Sequence, residues 1–140
     1  MNKLRLSVLL LSVLGIIGSI GPWFSNSLDN TTFNGIQGDG IISLLLFALA
    51  ILFALICKSF RNPLKKGMKI GIFVSALVAA FFGVYKYVVL LEAFNTTVLG
   101  MNFSHAFSFG YGLYVVVASG LIIVIAVFLI RDRVKSETIE

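Results

Sequence analysis

Catalytic chemistry has little to draw on in this sequence. Its 140 residues include one cysteine, one histidine and only 12% charged residues. A single cysteine excludes an internal disulfide, and with it a disulfide-stapled secreted module. A single histidine with no clustered cysteine is no metal signature. Charge at half of the usual quarter of residues excludes an ordinary soluble domain. A hydrophobic share of 59% and a mean hydropathy of +1.03 exclude a disordered tail. What remains is a polytopic membrane protein.

The apolar residues come in blocks. A membrane helix needs roughly 20 largely apolar residues, because each adds about 1.5 Å toward a hydrocarbon core of about 30 Å. Four stretches qualify as spans: about 4–21, 41–57, 68–93 and 110–130. They are apolar on both faces, whereas strands of a membrane barrel alternate. Helices also satisfy their own backbone hydrogen bonds, as the bilayer interior requires. The expected fold class is all-α: a four-transmembrane-helix bundle with two short outer loops, forming one integral membrane domain over residues 1–140. The N-terminal run has the charged start of a signal peptide. It is longer than a signal core, and Pro22 would directly follow the apparent cleavage site, so it is read as a retained first span.

Charge sets the orientation. Ten of the eleven basic residues flank one side: Lys3 and Arg5, then Lys58, Arg61, Lys65, Lys66 and Lys69, then Arg131, Arg133 and Lys135. The Lys/Arg excess marks cytoplasmic segments, so both termini are expected in the cytoplasm. The net charge of +5 then needs no nucleic-acid partner; it labels orientation and meets anionic headgroups. The lipid bilayer is the expected partner, with another membrane protein or a second copy of the chain beside it.

The other side carries Asp29, Asp39, Glu92 and Lys86. Trp23 and Phe24 follow the first span, at the position of headgroup-level anchors. Asp39, within Gly38-Asp39-Gly40, fits a helix N-cap. Lys86 lies about 25 Å up its span from Lys69, where it can snorkel or pair with Asp39 or Glu92. Glu92 is six residues from Lys86 and on another helix face, which disfavours direct pairing between them. His105 follows Ser104 directly, a pairing that makes no nucleophile and base. The candidate outer contacts are thus Asp39, Lys86, Glu92, His105 and Trp23. No catalytic residue, metal ligand or cofactor site is expected, so no enzyme is expected either.

The third span has the clearest pattern. Gly67, Gly71, Ser75, Ala79 and Gly83 recur at every fourth position. Small residues let membrane helices approach closely, so this stripe is the expected packing seam. The middle of each span reads as empty of polar or ionisable groups, which a transporter usually needs.

Three motifs carry a resemblance: Trp23 after the first span, Gly35-Ile-Gln-Gly-Asp-Gly-Ile-Ile42 leading into the second, and Phe109-Gly-Tyr-Gly-Leu-Tyr114 leading into the fourth. The chain resembles small bacterial four-span integral membrane proteins of unassigned function. The resemblance implies the same topology and a bacterial inner membrane, and implies no catalytic residue. The reading that follows is a non-catalytic protein acting through contacts, in an accessory, envelope or immunity role. The alternative is a small transporter or channel subunit working as an oligomer.

Overall fold

The computed structural model describes residues 3–56, 64–94, 97–98, 101–102 and 107–130. His105 therefore lies outside the described residues, as do Cys57 and the basic residues Lys58, Arg61, Arg131, Arg133 and Lys135.

Four helices make up most of the described chain: α1 (Lys3–Ile20), α2 (Gly40–Leu55), α3 (Lys66–Phe94) and α4 (Tyr111–Leu129). Three of them, α1, α3 and α4, are long and apolar enough to cross a membrane. The 16 residues of α2 rise only about 24 Å. The end of α1 follows from its sequence. Gly21 still donates its N–H to Ile17 at 2.9 Å; Pro22 has no N–H to continue.

The helices pack in a ring, α1 against α2 and α4, and α3 against the same two. Chain direction alternates around it, so the end of α1, the start of α2, the end of α3 and the start of α4 share one end. The interior is narrow because its residues are small. Gly18 and Gly112 bring α1 and α4 into backbone contact. A Cβ on Gly112 would lie 2.6 Å from the Gly18 carbonyl oxygen, and one on Gly18 would lie 2.9 Å from that of Gly112. The ring of Phe47 on α2 lies flat against Gly15 on α1.

Along α3, Ile72, Ser75, Ala76, Ala79, Ala80 and Gly83 are buried, the spacing of one helix face. Gly71 meets Phe53 of α2, and Gly83 meets Val117 of α4. Gly67 departs from the expected stripe. It is exposed, and a Cβ there would meet nothing within 4 Å. The packed stripe starts one turn later, at Gly71.

Two further expectations change. The middle of the bundle is not free of polar groups: Ser12, Ser75 and Ser119 are buried there, with Ser19 and Ser43 nearer one end. The hydroxyls of Ser19, Ser43, Ser75 and Ser119 serve the helices, while that of Ser12 is buried without a hydrogen-bond partner among the described residues. Ser75 donates to the Ile72 carbonyl at 3.0 Å, Ser119 donates to that of Val115, and Ser19 meets Ser43 across α1 and α2 at 3.0 Å. Small hydroxyls of this kind hold membrane helices together while admitting close approach. Arg5, read with Lys3 as a flanking charge, is fully buried; only Lys3 of that pair faces outward.

The polar connections form strands. Strands β1 (Pro22–Asn26) and β2 (Thr31–Asn34) make an antiparallel hairpin, β3 (Thr97–Val98) and β4 (Met101–Asn102) make a second small one, and β5 (Phe107–Phe109) pairs with β1. The order β2-β1-β5 joins both polar connections in one sheet at one end of the bundle. Asn26 builds the first turn. Its Oδ1 accepts the Leu28 N–H at 2.9 Å, its Nδ2 donates to Asp29 at 3.3 Å, and Asn30 adopts φ 51°, a conformation asparagine tolerates.

Candidate functional site

The two faces of the sheet differ as the strand period requires. Phe24 stands opposite Phe33 on one side and Phe109 on the other, and Ser25 stands opposite Thr32 and Ser108. The hydroxyls of Ser25 and Ser108 meet at 2.7 Å on the exposed face. On the other face, Phe24 and Phe33 stack with centroids 4.6 Å apart, and Tyr87 of α3 packs on Phe109 at 4.5 Å. The aromatic face therefore covers the end of α3.

Trp23 is the exception within β1. The pairing slips between Pro22 and Phe24, so Trp23 is the extra residue of a bulge, and bulges re-aim side chains. It is 5% exposed, and its Nε1–H donates to the Gly18 carbonyl at 3.1 Å. The expected headgroup anchor is instead the bolt between the sheet and α1. Its own carbonyl accepts the Gly110 N–H at 2.8 Å, which fixes the start of α4. Gly35 lies under the indole; a Cβ there would sit 2.4 Å from Trp23 Nε1 and 2.3 Å from the Ser19 carbonyl oxygen. Only glycine fits this crossing.

Between the hairpin, the turn at Gly35–Gln37 and the upper part of α3 lies a cavity of about 240 Å³. Trp23, Phe24, Phe33, Val89 and Leu90 give it apolar walls, and Asn34, Gln37, Asp39 and Lys86 give it polar groups. Asp39 and Lys86 form an ion pair through Oδ2 and Nζ. Asp39 occupies the N-cap position of α2, but its side chain makes no capping bond; the carboxylate is committed to Lys86. The Lys86 ammonium also lies 5.7 Å from the Phe82 ring centroid and 5.8 Å from that of Tyr85, within cation–π range. The two side chains are 23% and 52% exposed. An ion pair this open to solvent contributes on the order of 0–1 kcal/mol, so stability alone does not account for its place at a cavity.

Of the outer residues singled out by sequence, Trp23, Asp39 and Lys86 converge on the cavity. Glu92 sits exposed on α3 and does not line it. Phe33, Asn34 and Gln37 were not anticipated. Their signal was present: Trp-Phe-Ser-Asn and Thr-Thr-Phe-Asn flank a four-residue link with three turn-forming residues, Ser27, Asp29 and Asn30, the pattern of a hairpin. Among the described residues, no three His, Cys, Asp or Glu side chains gather as metal ligands. In comparisons with known proteins, the chain matches no family model, no curated protein and no solved structure.

Proposed function

We propose that the chain is a four-span protein of the bacterial inner membrane that acts through contacts made at its sheet-capped end. In this reading α2 completes the crossing begun by α1, α3 and α4. Its segment carries no charge, and it packs between α1 and α3. The distribution of Lys and Arg supports a reading with both termini in the cytoplasm and the sheet outside.

The observation that carries the reading is the joining of both polar connections into one fixed surface. A connection needed only to link spans has no reason to pair with its counterpart across the bundle. The surface also presents apolar side chains where water is expected: Leu28 is 63%, Ile36 46% and Phe33 42% exposed. Exposed apolar groups beyond the membrane level mark an interaction site.

Site-specific photo-crosslinking in living cells tests this. A photoreactive residue at Leu28 or Ile36 is expected to give a discrete protein adduct. The same residue at Phe81 or Phe128, on the flank of the bundle, is expected to give none. Adducts from the flank alone would overturn the reading.

A further inference from the structure

We propose that the cavity beneath the sheet binds a zwitterionic amphiphile, with a phosphate–ammonium headgroup at the Asp39–Lys86 pair and the start of its apolar tail against the aromatic wall. The inference rests on the membrane reading above and goes beyond it by naming a ligand class for one cavity.

Charge argues for a zwitterion. Lys86 and Asp39 sum to zero, so a lone anion attracted by the ammonium meets the neighbouring carboxylate, and a lone cation meets the reverse. A ligand carrying both charges gains at both. Bonding capacity is available for it. A lysine ammonium has three donors and a carboxylate two acceptor oxygens, and the pair uses Nζ once and Oδ2. That leaves Lys86 donors for a phosphate and Asp39 Oδ1 for an ammonium. Gln37 accepts the Asn34 N–H through Oε1 at 3.1 Å, which leaves its amide nitrogen as a further donor.

Size and lining argue for a headgroup with a tail. A cavity of about 150 Å³ takes a benzene-sized molecule. The 240 Å³ here suits a headgroup and its first carbons rather than a whole lipid. Phe24, Phe33, Val89 and Leu90 offer nothing to a purely polar solute. Val89 is both cavity wall and 37% exposed, and it continues into the exposed apolar face of α3 through Val88, Tyr85 and Val84. A tail leaving the cavity there stays on an apolar surface. This continuity favours a membrane lipid over a soluble zwitterion.

Trp23 is the sole tryptophan and lines the cavity, so its emission reports occupancy. The full chain in detergent is titrated with short-chain phosphatidylethanolamine, phosphatidylcholine and phosphatidylglycerol, and with soluble phosphoethanolamine. Phosphatidylethanolamine, whose ammonium can donate to Asp39, is expected to give a saturable change at about tenfold lower concentration than the anionic lipid, the equivalent of one charge-assisted hydrogen bond; phosphatidylcholine, which has no N–H and keeps only the charge attraction, should fall between the two. Lys86→Gln and Asp39→Asn should each weaken it by a similar factor. Exchanging the two, with Asp39→Lys and Lys86→Asp together, should restore much of the loss.

Gly38→Phe supplies an independent block. Gly38 lines the cavity, and a Cβ there comes no nearer than 4.0 Å to its neighbours, so a side chain can start there without displacing backbone. It should abolish the response with helix content unchanged. Equal or tighter binding of phosphatidylglycerol, no saturable change with any lipid, or full binding by the Gly38→Phe variant would overturn the proposal. Phosphoethanolamine saturating at the same concentration as the lipids would overturn the membrane source. Release of the chain from membranes by alkaline carbonate would instead sink the membrane reading itself, whatever the titrations give.

Discussion

The middle of the bundle and its sheet-capped end solve opposite problems with different residues. In the middle, glycine, alanine and serine let helices close onto one another's backbone, as at Gly120, where a Cβ would lie 2.9 Å from the Ala76 carbonyl oxygen. At the capped end, Trp23, Phe24 and Phe33 hold elements apart around a cavity, and an ion pair stands at it. Closure in the first region makes the second possible. Helices fixed by contacts that admit no side chain form a rigid base on which a small sheet can hold a pocket open. A three-stranded sheet with strands of three to five residues would not keep such a shape alone.

The comparison can be broken first in the bundle. Gly112→Ala pushes a methyl group against two backbone oxygens, those of Gly18 and Pro22, at 2.6 and 2.8 Å. Neither can retreat unless α1 and α4 separate. The expected cost is about 3 kcal/mol, the upper part of the overpacking range, read as loss of the folded peak in detergent gel filtration or a large drop in melting temperature. Gly71→Ala should cost about 1 kcal/mol, because its nearest neighbour is the Phe53 ring at 2.8 Å, which can turn aside. A melting temperature for Gly112→Ala at or above that of Gly71→Ala would remove the distinction between the two seams.

The bolt between the regions comes next. Trp23→Phe keeps most of the ring and loses the hydrogen bond to the Gly18 carbonyl. It should cost about 1 kcal/mol and loosen the hairpin more than the helices. Hydrogen exchange resolved by segment checks this: faster exchange in β1 and β2 with α3 unchanged is the expected result. Smallest of all, Gly67→Ala should change stability by no more than about 0.5 kcal/mol, since nothing lies within 4 Å. A large effect there would extend the seam by the turn that the structure denies it.

The two regions also differed in how much the sequence revealed. The helices were legible because long apolar runs with few charges stand out, although only α1, α3 and α4 reach the length needed to cross a membrane. The small-residue stripe of α3 was visible as spacing, but spacing does not show that Gly67 stands exposed with nothing within 4 Å. The seam between α1 and α4 was not. Gly112 sits in a Gly-Tyr-Gly segment that reads as a turn, and nothing local shows that Gly18 faces it. Arg5 was misread for a similar reason. A charge beside a span looks like an outward label, and its burial is a property of the helices around it.

At the capped end the ion pair was among the expected options for Lys86, but the sheet was read as loop. The turn signals at Asn26 to Asn30 were visible. The pairing of β1 with β5, 83 residues apart at Ser25 and Ser108, was not, because long-range partners leave no local trace. The bulge that turns Trp23 inward is invisible for the same reason. Sequence placed the outer residues on one side, and tertiary pairing selected which of them meet.

The central claim is that the sheet end faces out of the cell and the opposite end faces in. Cysteine labelling tests it most directly, in a Cys57→Ser background with single replacements at Leu28 and Lys65, both exposed and at opposite ends of the bundle. A membrane-impermeant maleimide is predicted to label Leu28→Cys in spheroplasts and Lys65→Cys only after lysis. Labelling of both from the same side, or of Lys65→Cys alone before lysis, would contradict the account.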